Sequence, residues 1–225
     1  MELFWVAAVF GLLSSAQSAP VTSCETLTKH DDIIRDQLLG KWILIGETTD
    51  KDETLSMIRS LVDTVFWNIT ETDTTDGLQI FHHQKTSGVC ASLQMVATVK
   101  NKTLTMDYPY PATSVKLTSS CPDCLILYST NIIGGSTIKE IQFLSRRNTV
   151  STEELDEFKK QAHCLNLPST TILDPKKGFC LDPNNTQDLT DNLTPEIMKK
   201  VDEIMKNPDL LKSLLTEPAI KSDIV

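Results

Sequence analysis

The stretch from Lys41 to Ser145 constrains the fold most, because it is a series of short β-prone runs, each followed by turn chemistry. Trp42-Ile43-Leu44-Ile45 opens it, and Val65-Phe66-Trp67-Asn68-Ile69-Thr70 follows. A polar turn from Glu71 to Gly77 leads into Leu78-Gln79-Ile80-Phe81-His82. Ala91 to Lys100, the turn Asn101-Lys102 and Thr103 to Asp107 come next. Leu125-Ile126-Leu127-Tyr128 and Ile138 to Leu144, with Gly134-Gly135 between them, complete the set. Regularly spaced short strands of this kind predict an antiparallel barrel or sandwich. The period then changes. Ser151-Thr152-Glu153-Glu154 has the form of a capping box, in which a hydroxyl and a carboxylate three residues on satisfy the free amides of a helix start. Leu155, Phe158, Ala162 and Leu165 follow at helical spacing, and Pro168 ends the helix. One amphipathic helix after all the strands needs the outer wall of the sheet to cover its apolar stripe.

The first residues read as an export signal. Leu3 to Leu13 is an apolar run of signal-peptide length, short of the roughly 18 residues that span a bilayer, and no other run approaches that length. Small residues follow, so cleavage is expected after Ala16 or Ser18, and Pro20 argues against a cut after Ala19. Glu2 in place of a leading Lys or Arg departs from the usual pattern, and a buried N-terminal strand is the alternative. Six cysteines (Cys24, Cys90, Cys121, Cys124, Cys164 and Cys180) behind such a signal point to disulfides in an oxidising compartment. Asn68, Asn101, Asn184 and Asn192 each begin an N-x-Ser/Thr sequon, which export would make glycosylation sites. The net charge of −9, or −8 once Glu2 is removed, disfavours nucleic acid and anionic membranes as partners.

Beyond Cys180 the composition turns polar and then helical. Thr194-Pro195-Glu196 starts a helix with Ile197, Val201, Ile204 and Met205 on one face. Asn207-Pro208-Asp209 starts a second, carrying Leu210, Leu211, Leu214 and Leu215, and both pair an N-cap with Pro at the first helical position. Two readings are open: the helices dock on the barrel, or they meet a partner or lipid surface, for which the acidic residues disfavour anionic membranes.

Gly40-Lys41-Trp42 at the first strand, after a short polar helix expected over Lys29 to Leu39, resembles the Gly-x-Trp opening of lipocalins. At the far end, Phe143-Leu144-Ser145-Arg146-Arg147-Asn148 leading into the capped helix resembles that family's closing strand. The resemblance implies an eight-stranded antiparallel barrel in which Arg146 lies over Trp42 at the closed end. Gly40, Trp42 and Arg146 are then structural, and the cation–π contact is worth up to ~2 kcal/mol. Ser151 to Phe158, Cys164-Leu165-Asn166-Leu167-Pro168 and Lys176-Lys177-Gly178-Phe179-Cys180 look like the alpha-1-acid glycoprotein (orosomucoid) branch. That branch includes fish relatives that bind saxitoxin, tetrodotoxin or tributyltin. The likeness covers roughly residues 24–180, which divides the chain into a signal (1–18), a lipocalin domain (19–181) and a polar linker with a short helical extension (182–225). It implies disulfides Cys24–Cys164 and Cys90–Cys180, each closing a long loop and contributing on the order of 3–5 kcal/mol. Cys121-Pro122-Asp123-Cys124 remains: a turn disulfide, a redox pair or half of a zinc site, although no second ligand pair stands at finger spacing.

Alternate residues of a small barrel's strands point inward. An outward Asn68, if glycosylated, together with Cys90 sets the parity, so Trp67, Ile69, Ile80, His82, Gln84, Ala97, Val99, Leu104 and Met106 face in. Leu44, Gln142 and Leu144 complete the cavity wall by resemblance. A slip of one residue would invert the set. Trp67 is cavity wall or core. His82 either orients the ligand, pairing with an anion when protonated near pH 6.5, or faces solvent. His82 and His83 point to opposite faces and cannot chelate one metal together. The mostly apolar lining suits a small hydrophobic ligand carried by a secreted monomer, without cofactor, metal or membrane anchor. Two rivals stand beside this carrier. One is an enzyme of the prostaglandin D synthase kind, which needs a free cavity thiol. The other is a lipoprotein-associated carrier like apolipoprotein M, which needs a retained hydrophobic N-terminus.

Overall fold

The computed structural model describes residues 23–51, 61–207 and 209. The expected signal and the second C-terminal helix lie outside the described residues. Eight strands follow one another around the barrel: β2 (Gly40–Thr49), β3 (Val62–Glu71), β4 (Gly77–Thr86), β5 (Val89–Lys100), β6 (Thr103–Met106), β7 (Ala112–Leu117), β8 (Cys124–Ile133) and β9 (Ser136–Ser145). Each pairs antiparallel with the next, and β2 pairs with β9, so the sheet closes on itself. Closure removes the free edges that an open sheet of this length would expose.

Closure also buries β2 on both faces. Trp42 and Leu44 point into the barrel and join Ile69, Leu78, Ala97, Leu104, Leu125 and Leu144 in a packed floor. Ile43 and Ile45 point outward into a second core with Phe66, Phe143, Phe158 and Ala162. That outer core is where helix α3 (Thr152–Cys164) sits. The expected capping box is formed: Ser151 Oγ accepts from Glu154 N at 3.2 Å, and the Glu154 carboxylate accepts from Ser151 N at 2.7 Å. The buried Gln161 amide of α3 donates to Leu27 O and Thr118 O, tying the N-terminal arm and the β7–β8 connection to one side chain.

Three elements differ from the sequence expectation. Lys29 to Leu39 is not one helix: His30–Asp31 (β1) pairs with Leu117 and Lys116 of β7, and only Arg35–Leu38 (α2) is helical. Pairing with the outer barrel edge supplies hydrogen bonds that a short, poorly capped helix would not. Strand β7 has no apolar run in the sequence, because its inward residues Ala112 and Ser114 are small or polar. The tail is more than a linker. Along β5, strand β6 covers only Ala97 to Lys100; after β10 (Thr171–Ile172), which pairs with β2, the tail strand β11 (Thr186–Asp188) pairs in parallel with Cys90, Ala91 and Ser92 on the other half of β5. Helix α4 (Pro195–Lys206), capped by Thr194, then rests on the β8–β9 turn. At that turn Gly134 has φ +59°, and a Cβ there would fall 2.2 Å from Asp202 Cβ, so only glycine allows the approach. Lys206, Ser136 and Lys51 hold the buried Asp202 carboxyl below its ordinary pKa.

All six cysteines are bonded: Cys24–Cys164 joins α1 (Cys24–Leu27) to the end of α3, Cys90–Cys180 joins β5 to the C-terminal segment, and Cys121–Cys124 closes the turn before β8. Arg147 donates to Cys121 Sγ (3.1 Å), Asp123 (2.7 Å) and Glu154 (2.8 Å), binding that turn to the start of α3.

At the closed end the Arg146 guanidinium lies 3.7 Å from the Trp42 ring centroid and donates to the carbonyls of Lys41, Gln37 and Leu39. Gly40 has φ +89°, and a side chain there would crowd Arg146 Nη1 at 3.2 Å. Removing the guanidinium strands three carbonyls near the surface and uncovers the indole. Arg146→Ala is expected to cost about 2 kcal/mol, read as a lower urea midpoint with an unchanged m-value; Arg146→Lys recovers less than half of it, because an ammonium cannot bridge the same carbonyls while stacking.

Candidate functional site

The floor fills only the closed half of the barrel. Above it lies a cavity of about 320 Å³, near the lower end of small-molecule sites. One side is mainly apolar, with Trp67, Ile80, Leu93, Met95, Leu104 and Met106 from β3 to β6, and His82 and Gln84 of β4 are its polar members. The opposite side, on β2, β9, β8 and β7, carries a polar seam among Leu127, Ile133 and Ile138. There Gln142 Nε2 lies 3.5 Å from Glu47, Asn131 donates to Glu140 at 3.0 Å, and the Ser114 and Ser129 hydroxyls are 2.8 Å apart.

A β-bulge creates part of this seam. The register between β2 and β9 shifts between Leu44 and Gly46. Leu44 faces inward below the shift, and Glu47 faces inward above it. Strict alternation would have continued to Gly46 and Thr48, so period-two reading misses Glu47. Asn131, Ser129, Ser114 and Glu140 went unread because polar residues inside a barrel look like solvent-facing ones in one sequence. Glu140 lies two residues before Gln142 on β9, so alternation from Gln142 was the one signal available for it.

Of the residues expected on the wall, the structure brings together Trp67, Ile80, His82, Gln84, Leu104, Met106 and Gln142 around the cavity. Leu44, Ile69, Ala97, Val99 and Leu144 also face inward, but they belong to the packed floor and do not reach the open space. Alternation gives the face and not the depth, and these five lie too near the closed end. Asn68, Asn101, Asn184 and Asn192 are all exposed. Trp67 and His82 are cross-strand partners with ring centroids 6.3 Å apart. His82 borders the cavity, yet burial and the neighbouring His83 push its pKa down to about 4. It is therefore held neutral near pH 6.5, offering one N–H and one acceptor nitrogen. His83 points outward and stacks on Phe66 at 4.5 Å, where Lys41 Nζ lies 4.4 Å from the same Phe66 ring.

Several solved structures share this architecture. The siderocalin Ex-FABP superposes with a TM-score of 0.57 at 16% identity, covering 65% of this chain and 99% of that one. Odorant Binding Protein OBP1 gives 0.54 at 19% identity, covering 66% and 97%. Lipocalin 12 from rat epididymis gives 0.56 at 16% identity, covering 69% and 93%. Comparison with curated proteins finds no match. No helix among the described residues is long and apolar enough to cross a membrane. The family model that matches residues 39–178 spans the closed barrel, its capped helix and the segment that follows, and this chain belongs to the Lipocalin / cytosolic fatty-acid binding protein family.

Proposed function

We propose that this protein is a secreted, N-glycosylated carrier that holds one small, mainly apolar ligand in the open half of its barrel. The observation that carries this reading is the division of the cavity wall into an apolar side on β3 to β6 and a polar seam opposite. A ligand that buries its hydrocarbon against the first gains ~25 cal/mol per Å² removed from water. Its polar edge meets hydroxyl, amide and carboxylate groups along the second. Export is supported by the three disulfides and by four exposed sequons. Cys24–Cys164 and Cys90–Cys180 match the pairs implied by likeness to the orosomucoid branch and support placing the chain there.

Catalysis of the prostaglandin D synthase kind needs a cysteine thiol, and all six sulfurs are in disulfides. Thiol titration of the native protein is expected to find none, and a reactive thiol in the cavity would revive the enzyme reading.

Filling the cavity tests the carrier directly. Leu93 borders the open space, so Leu93→Trp inserts a ring where a ligand would lie. Displacement of a fluorescent apolar probe is expected to show at least a tenfold loss, about 1.4 kcal/mol, with Val96→Trp on the exposed outer face as the control. Equal affinity in both variants and the parent would place the ligand elsewhere. The neutral His82 has its own signature. The unfolded chain takes up this proton near pH 6.5 and the folded chain only near 4. The fold's advantage is thus complete above pH 6.5 and shrinks as pH falls to 4, by a few kcal/mol. Urea midpoints of the parent should fall across that window more steeply than those of His82→Gln, and parallel profiles would show that burial does not suppress its charge.

A further inference from the structure

Of the four exposed sequons, three stand in turns and one stands in the middle of a strand. Asn101 begins the β5–β6 turn at φ +50°, and Asn184 and Asn192 lie in the turns Pro183–Asn185 and Thr190–Asn192. Asn68 lies within β3 and is exposed on its outer face. Its register partner on β4 is Phe81, and on β2 it is Lys41. Directly opposed residues share a face, with Cβ atoms about 5 Å apart, so Phe81 and Lys41 flank Asn68 on the outer wall. Two rings stand near it there, and one is already covered. Phe66, two residues earlier, is buried: His83 stacks on it at 4.5 Å, and Lys41 Nζ lies 4.4 Å from its centroid. Phe81 is half-buried and makes no ring or cation–π contact among the described residues. Val96, diagonal to it on β5, is 56% exposed, so an apolar patch borders the sequon. The Asn68 amide makes no hydrogen bond among the described residues either, whereas Asn192 Nδ2 donates to Asp188 O at 3.4 Å.

We propose that the glycan on Asn68 is a structural part of the barrel: its first N-acetylglucosamine lies on the Phe81 ring and fastens β3 to β4 from outside. The inference rests on the glycoprotein reading and deepens it, giving this sequon a role that those in turns lack. The linkage forms as Asn68 Nδ2 loses one proton and displaces the pyrophosphate of a lipid-linked oligosaccharide, leaving the amide one N–H and its carbonyl. A pyranose presents a face of C–H bonds, which matches the negative face of an aromatic ring and removes apolar surface from water. Neighbouring strands are less than about 5 Å apart, within reach of the first sugar alone. The two strands so joined carry Trp67, Ile80 and His82 on their inner face, at the cavity.

The test uses the full chain secreted by eukaryotic cells that leave glycans in the high-mannose form, with occupancy of each sequon read by peptide mass spectrometry. Asn68→Gln is expected to raise the unfolding equilibrium constant about fivefold, seen as a lower urea midpoint. In a Phe81→Leu background the same substitution changes nothing, because the ring that the sugar covers is gone. Trimming with endoglycosidase H, which leaves the first sugar in place, keeps the parent's midpoint, and so does the control Asn184→Gln. In the parent, nuclear Overhauser contacts join the Phe81 ring protons to the sugar on Asn68. If a variant is not secreted, those contacts decide: their presence supports the inference and their absence overturns it. Equal losses from Asn68→Gln in both backgrounds overturn it while leaving the glycoprotein reading intact. An Asn68 without glycan also overturns it, and four empty sequons overturn the glycoprotein reading as well; neither result touches the binding of an apolar probe.

Discussion

Hydrogen bonding of β2 to both β3 and β9 is the constraint on which the rest depends. With that strand in place the sheet has no edge, and β2 must be apolar on both faces because one faces the barrel and the other faces α3. The sequence Trp42-Ile43-Leu44-Ile45 meets this demand with no polar residue in four. Arg146 reinforces the same seam from outside, covering the Trp42 ring and holding the carbonyls of the chain that enters β2. The inner floor and the outer core under α3 therefore share a wall, and a defect in β2 would reach both.

The cavity follows from how unevenly the closed barrel is filled. Large side chains converge at the end where Trp42, Leu44, Ile69 and Leu144 meet, and they pack against one another as one buried cluster. Toward the other end β7 contributes Ala112 and Ser114 and β8 contributes Ser129, so space remains. The bulge at Leu44 to Gly46 then turns Glu47 inward beside Gln142. One local irregularity thus converts the upper part of the wall from continued apolar packing into a polar seam, and gives the cavity its two-sided character.

Much of this was legible in the residues. The strand runs, the capped helix and the closed-end pair carry their own local chemistry. A hydroxyl three residues before a carboxylate means the same thing in any chain, and Asn68 fixed the face of β3 correctly for Trp67 and Ile69. What was not legible depends on distance along the barrel axis or on departures from period two. Leu44, Ile69, Ala97, Val99 and Leu144 have the correct face at the wrong depth. Glu47 lies beyond a bulge, and β7 carries small inward residues that no hydrophobic pattern marks.

The tail shows how this barrel closes its remaining gap. β6 is four residues long against twelve for β5, so half of β5 would present unpaired backbone groups near the open end. β11 takes those positions in parallel, Cys90–Cys180 holds the chain within reach just before it, and Tyr108 donates to Thr190 O just after it. From there α4 reaches the β8–β9 turn, on the other side of β6 and β7. The tail thus spans the weakest arc of the wall, from the strand that supplies Leu93 and Met95 to the strand that supplies Ser129 and Asn131. The described tail residues connect the two sides of the cavity wall from outside, and none of them lines the cavity itself.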